Sequence, residues 1–431
     1  MKTLHTCQCF CLFFMFAGFT LSDLHAGSRH SVHAYQDSTA YQSFQGKVVE
    51  LKTGEPIVFA SIFLSGTNIG TVSNSDGEFI IKIPMFLENK MIGFSSIGYK
   101  NLEIPVDQLN PEGNLIELAL NPILIEEVTI INQEARDLLD MALQSIPENF
   151  SNDPVMMTSF YRETIKQNRN FVSVSEAVLD GYKSSYTNMS DLDRVKIFKG
   201  RKSQDVKRMD TVLFKLQGGP QTMFMLDIVK NPGELFESDI MEYYVYQMGG
   251  IINIDDRQAY VITFKQFEHI DFPLYAGKIY IGVNDYAIVG AEFRIMEENL
   301  EKANQYLIRK KPISMRIDVN NANYLVSYRL IDGTWHLNYV RTELMFTVHW
   351  KKKLFRSRFT TMTEMAMTDI DTRNITRYKF RETTKRGDIF AEHVSNFEDP
   401  DFWGEYNIIQ PEESIQSAIQ RIERKLQRRS R

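Results

Sequence analysis

The sequence predicts a mainly β protein: a small sandwich near the N-terminus, a larger antiparallel β domain after it, and a few helices. Three observations carry this prediction. Between Phe44 and Leu120, short β-type runs alternate with Gly, Pro, Asn and Asp turns at close spacing, the pattern of a small sandwich. From Val155 to Phe390, strand–turn–strand order recurs with an apolar and a polar face, which favours a meander or half-barrel. The 29 Phe and 19 Tyr suit β-rich structure. A chain of 431 residues also exceeds the roughly 250–300 residues at which one core stops growing, so two domains are expected.

Taken in order, residues 1–26 read as a cleaved signal peptide. Lys2 precedes an apolar run from Phe10 to Phe19, and Leu24-His25-Ala26 offers a small residue before Gly27. The run is shorter than the roughly 20 apolar residues needed to span a bilayer. All three cysteines, Cys7, Cys9 and Cys11, lie inside it. Cleavage would leave neither disulfide, nor thiol nucleophile, nor Cys-ligated metal. Residues 27–43 are polar and aperiodic and read as a flexible linker; His30 and His33 have no further ligands nearby.

The sandwich is placed at 44–121. Phe44 to Val49 opens it as a strand, and Thr53-Gly54-Glu55-Pro56 turns it. Val58 to Leu64, Thr71 to Ser73, Phe79 to Ile83, Met91 to Ser96 and Leu115 to Leu120 follow as β-runs. Asn74-Ser75-Asp76-Gly77-Glu78 looks like part of a calcium loop but lacks the further oxygen ligands and flanking helices, so it reads as a hairpin turn.

Six pieces occur here in a fixed order: Gly46-x-Val48-Val49, Thr53-Gly54-x-Pro56-Ile57, Ala60-x-Ile62-x-Leu64, Gly66-Thr67-x-x-Gly70-Thr71, Asp76-Gly77-x-Phe79 and Phe94-Ser95-x-x-Gly98-Tyr99. Together they resemble the carboxypeptidase regulatory-like domain of Gram-negative envelope proteins, a module that often precedes TonB-dependent outer-membrane receptors. The resemblance implies a seven-stranded immunoglobulin-like or transthyretin-like sandwich and no catalysis.

A connector, 122–154, follows. Pro122 to Ile131 reads as a last strand. Asn132 caps a helix over Gln133 to Ile146, with Ala135, Leu138, Leu139, Ala142 and Ile146 on one face. The β-rich domain is placed at 155–395. Phe160-Tyr161-Arg162-Glu163 reads as a buried strand with a cross-strand Arg–Glu pair. Asp191 to Asp210 is mixed-charge and reads as a loop or irregular edge. Asn284-Asp285-Tyr286 and Asp332-Gly333-Thr334 read as hairpin turns. The run Gly277-x-Ile279-Tyr280-Ile281 … Tyr286-Ala287-Ile288-Val289 … Glu292-Phe293 is similar to hairpins of periplasmic lipoprotein carriers, whose open β-barrel holds acyl chains. With Phe402-Trp403-Gly404-Glu405-Tyr406-Asn407-Ile408-Ile409, the region also resembles the uncharacterised C-terminal part that often accompanies the regulatory-like domain. In the last segment, 396–431, Pro411 opens an amphipathic helix with Ile415, Ala418, Ile419, Ile422 and Leu426 as its stripe and Arg421, Arg424, Lys425, Arg428 and Arg429 toward its end. Such a helix packs on the sheet or lies against anionic lipid.

Catalytic patterns are missing. The chain has no His-Glu-x-x-His and no Gly-x-Ser-x-Gly; Gly218-Gly219-Pro220 lacks the Lys-Ser/Thr of a phosphate loop; and His269, His336, His349 and His393 are scattered. Acid pairs such as Asp255-Asp256 are read as surface turns. A net charge of −6 argues against nucleic acid as partner. The expectation is a non-enzymatic, exported protein of the periplasm or outer membrane, with no cofactor and no metal. Its sandwich would be an interaction module, and its β domain would bind an envelope protein or an apolar ligand. The alternative is a lipid or lipoprotein carrier, and an envelope hydrolase comes third. Phe264, Phe267, Phe272, Tyr275, Tyr280 and Tyr286 are the candidate lining of an apolar cavity.

Overall fold

The computed structural model describes residues 40–87, 90–121, 132–204, 215–216, 219–267, 270, 272–310, 315–351, 356–396 and 402–430. The expected signal peptide, the linker as far as residue 39 and the expected strand at 122–131 lie outside the described residues.

The N-terminal sandwich has seven strands: β1 (Tyr41–Glu50), β2 (Ser61–Leu64), β3 (Gly70–Val72), β4 (Glu78–Pro84), β5 (Met91–Ser95), β6 (Leu102–Pro105) and β7 (Asn114–Leu118). They form a three-stranded sheet, β4-β1-β7, facing a four-stranded sheet, β3-β2-β5-β6. Phe44, Val48, Ile62, Leu64, Phe79, Ile81, Phe94 and Ile116 fill the space between. β1 starts at Tyr41, inside the stretch read as linker, because residues from Tyr41 onward pair with β4. The Asn74–Glu78 turn is built as expected, with Asn74 Oδ1 accepting the Asp76 and Glu78 N–H groups. It is not a hairpin, however: it joins β3 of one sheet to β4 of the other. β2 begins later than its apolar run. Phe59 has φ 58° and leaves the strand to stack on Tyr339 at 5.4 Å.

The large sheet has eleven strands: β8 (Val155–Gln167), β9 (Asn170–Lys183), β10 (Arg194–Gln204), β12 (Tyr244–Ile254), β13 (Arg257–Gln266), β14 (Tyr275–Gly282), β15 (Ile288–Ile295), β17 (Met315–Ile331), β18 (Thr334–Trp350), β19 (Ser357–Asp371) and β20 (Ser395–Asn396). β11 (Lys215–Leu216) and β16 (Ile308–Lys310) pair separately. The order is β12-β13-β14-β15-β17-β18-β19-β8-β9-β10-β20. The chain enters mid-sheet, runs β8-β9-β10 outward, and returns as a meander that ends by pairing β19 with β8. Of the two readings of Asp191–Asp210, a loop or an irregular edge, β10 bears out the edge for residues 194–204: it is a ladder strand with one irregularity near Ile197, and among the described residues the short β20 alone lies beyond it.

Local turn chemistry sets the registers. Asp332-Gly333 (φ 48° and 83°) and Asp255-Asp256 (φ 51° and 54°) close two-residue hairpins between β17 and β18 and between β12 and β13. Positive φ at both central residues gives the turn a twist that matches the strands. The acid pair is therefore a turn.

One face of the sheet, the inner face, carries α1 (Asn132–Gln144), α2 (Ile146–Asn149), α3 (Pro220–Met225), α4 (Gly233–Phe236) and α5 (Ser238–Met241). α6 (Leu300–Leu307) packs beside β17 and α7 (Glu413–Ser430) beside β9. A single core cluster runs from Tyr244 on β12, at one edge, to Val195 on β10, near the other, and takes in residues of all five inner helices. Lys183 at the end of β9 and Tyr328 on β17 both reach Asp227, although four strand spacings, roughly 19 Å, separate those strands in a flat sheet. That convergence fits a curled half-barrel.

The outer face carries the sandwich and the C-terminal strap, residues 402–412. Val72, Phe160, Val178, Tyr339, Ala366, Trp403, Ile408 and Ile409 form their shared cluster. Thr71 Oγ1 donates to the Ile408 carbonyl at 2.9 Å, Asn74 Nδ2 to the Gln410 carbonyl at 3.1 Å, and Lys82 N–H to Asn407 Oδ1 at 2.7 Å. In α7, Ile415 and Ala418 are buried against Phe171 and Val174 of β9.

Candidate functional site

The apolar inner face is the natural place for a ligand, and α1 covers it. Its sequence puts Ala135, Leu138, Leu139 and Ala142 on one side, with Ile146 following, and all five are buried in the inner core. Met223 and Phe224 from α3, Leu235 and Phe236 from α4, and Met241 from α5 complete the cover. α3 approaches β9 so closely that a side chain at Gly181 would strike the Phe224 ring.

The structure divides the six candidate aromatics. Phe264 is buried, edge-to-face with Tyr244 at 5.4 Å. Tyr280 is also buried and donates to Glu292 Oε1 at 2.9 Å; burial first, then that carboxylate, pushes its phenol pKa up. Tyr275 is half-buried, between Phe293 at 5.3 Å and Tyr324 at 5.7 Å. Tyr286, at φ 55° in the β14–β15 turn, leans on the core. Phe267 and Phe272 are 38% and 39% exposed, and Phe272 meets Tyr243 edge-on at 5.4 Å. Of the six, four pack in or against the core and two lie at the surface. Strand alternation and chain reversal separate residues that are close in sequence.

Sequence reading missed Tyr246, which the register places beside Phe264 on the neighbouring strand. Its ring lies 6.4 Å from Phe264 and 5.9 Å from the Arg136 guanidinium of α1. Its hydroxyl is buried and makes no hydrogen bond among the described residues. An orphaned buried hydroxyl costs about 1–3 kcal/mol.

Six of the buried charged residues are held in two networks. On the inner face, Lys183 Nζ lies 2.5 Å from Asp193 Oδ2 and 2.7 Å from Asp227 Oδ2, and Tyr186 and Tyr328 donate to Asp227 at 2.7 Å each. Burial alone would raise the Asp227 pKa, but Lys183 and the two phenols outweigh it and hold it low. On the outer face, Arg162 binds Glu176 at 2.8 Å, Glu364 at 3.1 Å and the Ile409 carbonyl at 2.6 Å. This is the buried Arg–Glu strand the sequence predicts, with a carboxylate from each neighbouring strand. These contacts occupy the charged groups structurally. His336 is buried beside Arg329, and burial first, then that charge, pulls its pKa down to about 4. His349 pairs with Asp318 at 3.1 Å. Among the described residues, no group of three or more His, Cys, Asp or Glu could hold a metal ion.

Two concavities are open to description. One, between the β12–β13 and β14–β15 turns beside Trp335, has about 10 Å³, room for one water. The other is an open mouth of about 420 Å³ lined by Asn168, Arg169, Thr347, Arg356 and Arg358. None of the six candidate aromatics lines either.

Residues 44–130 match the family model described as a CarboxypepD_reg-like domain, so the sandwich is the module its turns imply. The match does not reach the large sheet. No curated protein matches the chain. Solved structures that resemble it include two. One is described as an outer membrane lipoprotein-sorting protein domain from Vibrio parahaemolyticus, 10% identical, with TM-score 0.26 over 56% of this chain and 95% of that one. The other is a DUF1329 family protein from Desulfovibrio piger, 10% identical, with TM-score 0.26 over 58% of this chain and 99% of that one. A likeness at that level says nothing of what this chain binds. No helix among the described residues is long and apolar enough to cross a membrane.

Proposed function

We propose that the protein is a non-catalytic envelope protein that carries an apolar chain, the acyl group of a lipid or lipoprotein, against the inner face of its half-barrel. The observation that supports this is the nature of the cover. One amphipathic helix and four short ones, not a second sheet, close the apolar face. Helices of four to six residues bury little each, so moving α1 and its neighbours aside opens an apolar trough without breaking a β ladder. The unpartnered Tyr246 hydroxyl under α1 supports the same reading, since an ester carbonyl would accept its hydrogen bond. The sandwich acts as a fixed shoulder, held by the strap. The pairing of Lys183 with Asp193 and Asp227, and of Arg162 with Glu176 and Glu364, supports a role without catalysis.

The test has two parts. Organic-solvent extracts of the purified protein are analysed for lipid, and uptake of a fluorescent fatty acid is titrated. Lock variants follow: with Cys7, Cys9 and Cys11 changed to Ser, Arg136→Cys on α1 and Glu242→Cys, between α5 and β12, replace a pair whose side-chain tips lie 3.5 Å apart, and a bifunctional methanethiosulfonate spans the gap that the two shorter side chains leave. Bridging should abolish uptake and reductant restore it. An extract free of lipid together with no saturable uptake would sink the carrier reading.

A further inference from the structure

The open mouth at the far end of the outer face is lined by three arginines, with Asn168 and Thr347. The β8–β9 turn meets the start of β19 there. Asn168, at φ 55°, donates its N–H to the Arg358 carbonyl at 2.7 Å and accepts the Arg358 N–H on Oδ1 at 3.1 Å. This reciprocal pair fixes the backbone beneath Arg169 and Arg358. Arg356 lies two residues before Arg358, on the same face of the strand approach, and Thr347 is the cross-strand neighbour of Arg358 on β18.

Arg169, Arg356 and Arg358 are all exposed at this mouth. Among the described residues, none of the three guanidinium groups has a hydrogen bond or ion pair. The next residue along the same cross-strand row, Asp318 on β17, is occupied by Arg316 at 2.9 Å and His349 at 3.1 Å. Lys166, nearby on β8, is committed to the Phe171 ring at 4.3 Å. Residues 352–355, which connect β18 to Arg356, include no acid. Thr347 and Asn168 already use their side-chain oxygens on Asn320 and on the Arg358 backbone. The free donors are therefore the guanidinium forks. A chain with net charge −6 has carboxylates to spare, yet none among the described residues pairs with these three arginines.

We propose that this mouth binds a phosphate-bearing anion. Three guanidinium groups offer more N–H donors than one carboxylate can accept, and their planar forks match the oxygen edges of a phosphate. About 420 Å³ admits a phosphate with its substituent. A membrane-lipid headgroup and a soluble phosphorylated molecule share this chemistry. The proposal does not rest on acyl binding at the inner face, which lies on the other side of the sheet.

The experiment titrates the full chain with inorganic phosphate, followed by phosphorus NMR. In parallel it measures co-sedimentation with phosphatidylglycerol vesicles and with phosphatidylcholine vesicles. Wild type should bind phosphate saturably, or bind phosphatidylglycerol vesicles and not phosphatidylcholine. The first result assigns a soluble source and the second a headgroup. The double variant Arg169→Gln/Arg358→Gln should weaken that binding at least tenfold with an unchanged circular-dichroism melt. Arg358→Lys alone, which keeps the charge and loses the fork, should fall between. Arg424→Gln in α7 should leave binding unchanged. The proposal is overturned if neither probe binds, or if the double glutamine variant binds as wild type does. Failure here leaves fatty-acid uptake untouched, and failure of uptake leaves this titration untouched.

Discussion

Arg162 is the most exacting residue to perturb, because three separate parts of the chain converge on it. Its guanidinium holds Glu176 on β9, Glu364 on β19 and the Ile409 carbonyl of the strap, and its side chain is 1% exposed. In Arg162→Met the volume is largely kept but two carboxylates, 1% and 3% exposed, lose their shared cation. Breaking a buried pair in this way costs about 3–5 kcal/mol, chiefly from the charge left behind. Glu176 keeps Arg201 at 3.2 Å and Glu364 keeps the Tyr339 hydroxyl at 3.0 Å, which places the loss toward the lower end. For a body the size of residues 40–431, that is a fall of roughly 4–6 °C in Tm, at about 2.1 cal/mol/K of unfolding entropy per residue. Calorimetry measures it, and hydrogen exchange of residues 402–411 should show the strap losing protection. Arg162→Met combined with Glu176→Gln and Glu364→Gln should recover most of the loss, because no buried carboxylate is then left uncompensated. A single variant costing less than about 1 kcal/mol, or a triple variant no better than the single, would refute the reasoning.

Three further outcomes are expected. His336 titrates near 4 when folded and near 6.5 when unfolded, so the unfolded chain binds more protons between those values. Its contribution, about 3 kcal/mol, is complete above pH 6.5 and is lost as pH falls through 4. Urea titrations from pH 4 to 7 should show His336→Gln with a flatter profile than wild type. Leu139→Ala, at a fully buried α1 position, should cost about 2–5 kcal/mol in urea unfolding; a loss under about 1 kcal/mol would mean that α1 is not packed as described. Gly277→Ala should reduce soluble yield and Tm sharply, since a methyl there would meet the Glu292 carbonyl and Phe293; an unchanged Tm would contradict the β14–β15 approach.

Much of the architecture was legible because short-range chemistry encodes it. The Asp332-Gly333 turn, the α1 stripe from Ala135 to Ile146 and the ordered turns of the sandwich each state a local preference that the fold keeps. What sequence reading missed depended on partners remote in the chain. The mixed-charge run that holds β10 leaves loop and irregular edge open in isolation, and it becomes an edge-side strand because β9 offers a ladder and the strap packs on it. Phe59 belongs by pattern to β2 and leaves it for Tyr339, 280 positions later. Tyr246, the orphan hydroxyl under α1, carries no sequence signal, because only the register of β12 against β13 places it there.

The candidate site divides along the same line. The sequence by itself determined the mainly β class, the regulatory-like sandwich, the buried Arg162 strand and the absence of familiar catalytic motifs. These follow from periodicity, turn residues and residue type, which act over a few positions. Only the tertiary structure decided that Phe264 and Tyr280 are core while Phe267 and Phe272 are surface, that a helix covers the inner face, and that Arg169 meets Arg356 and Arg358 at one mouth. Those outcomes depend on which strands become neighbours, and strand pairing across 190 residues is set by the closing of the whole sheet, not by any local run.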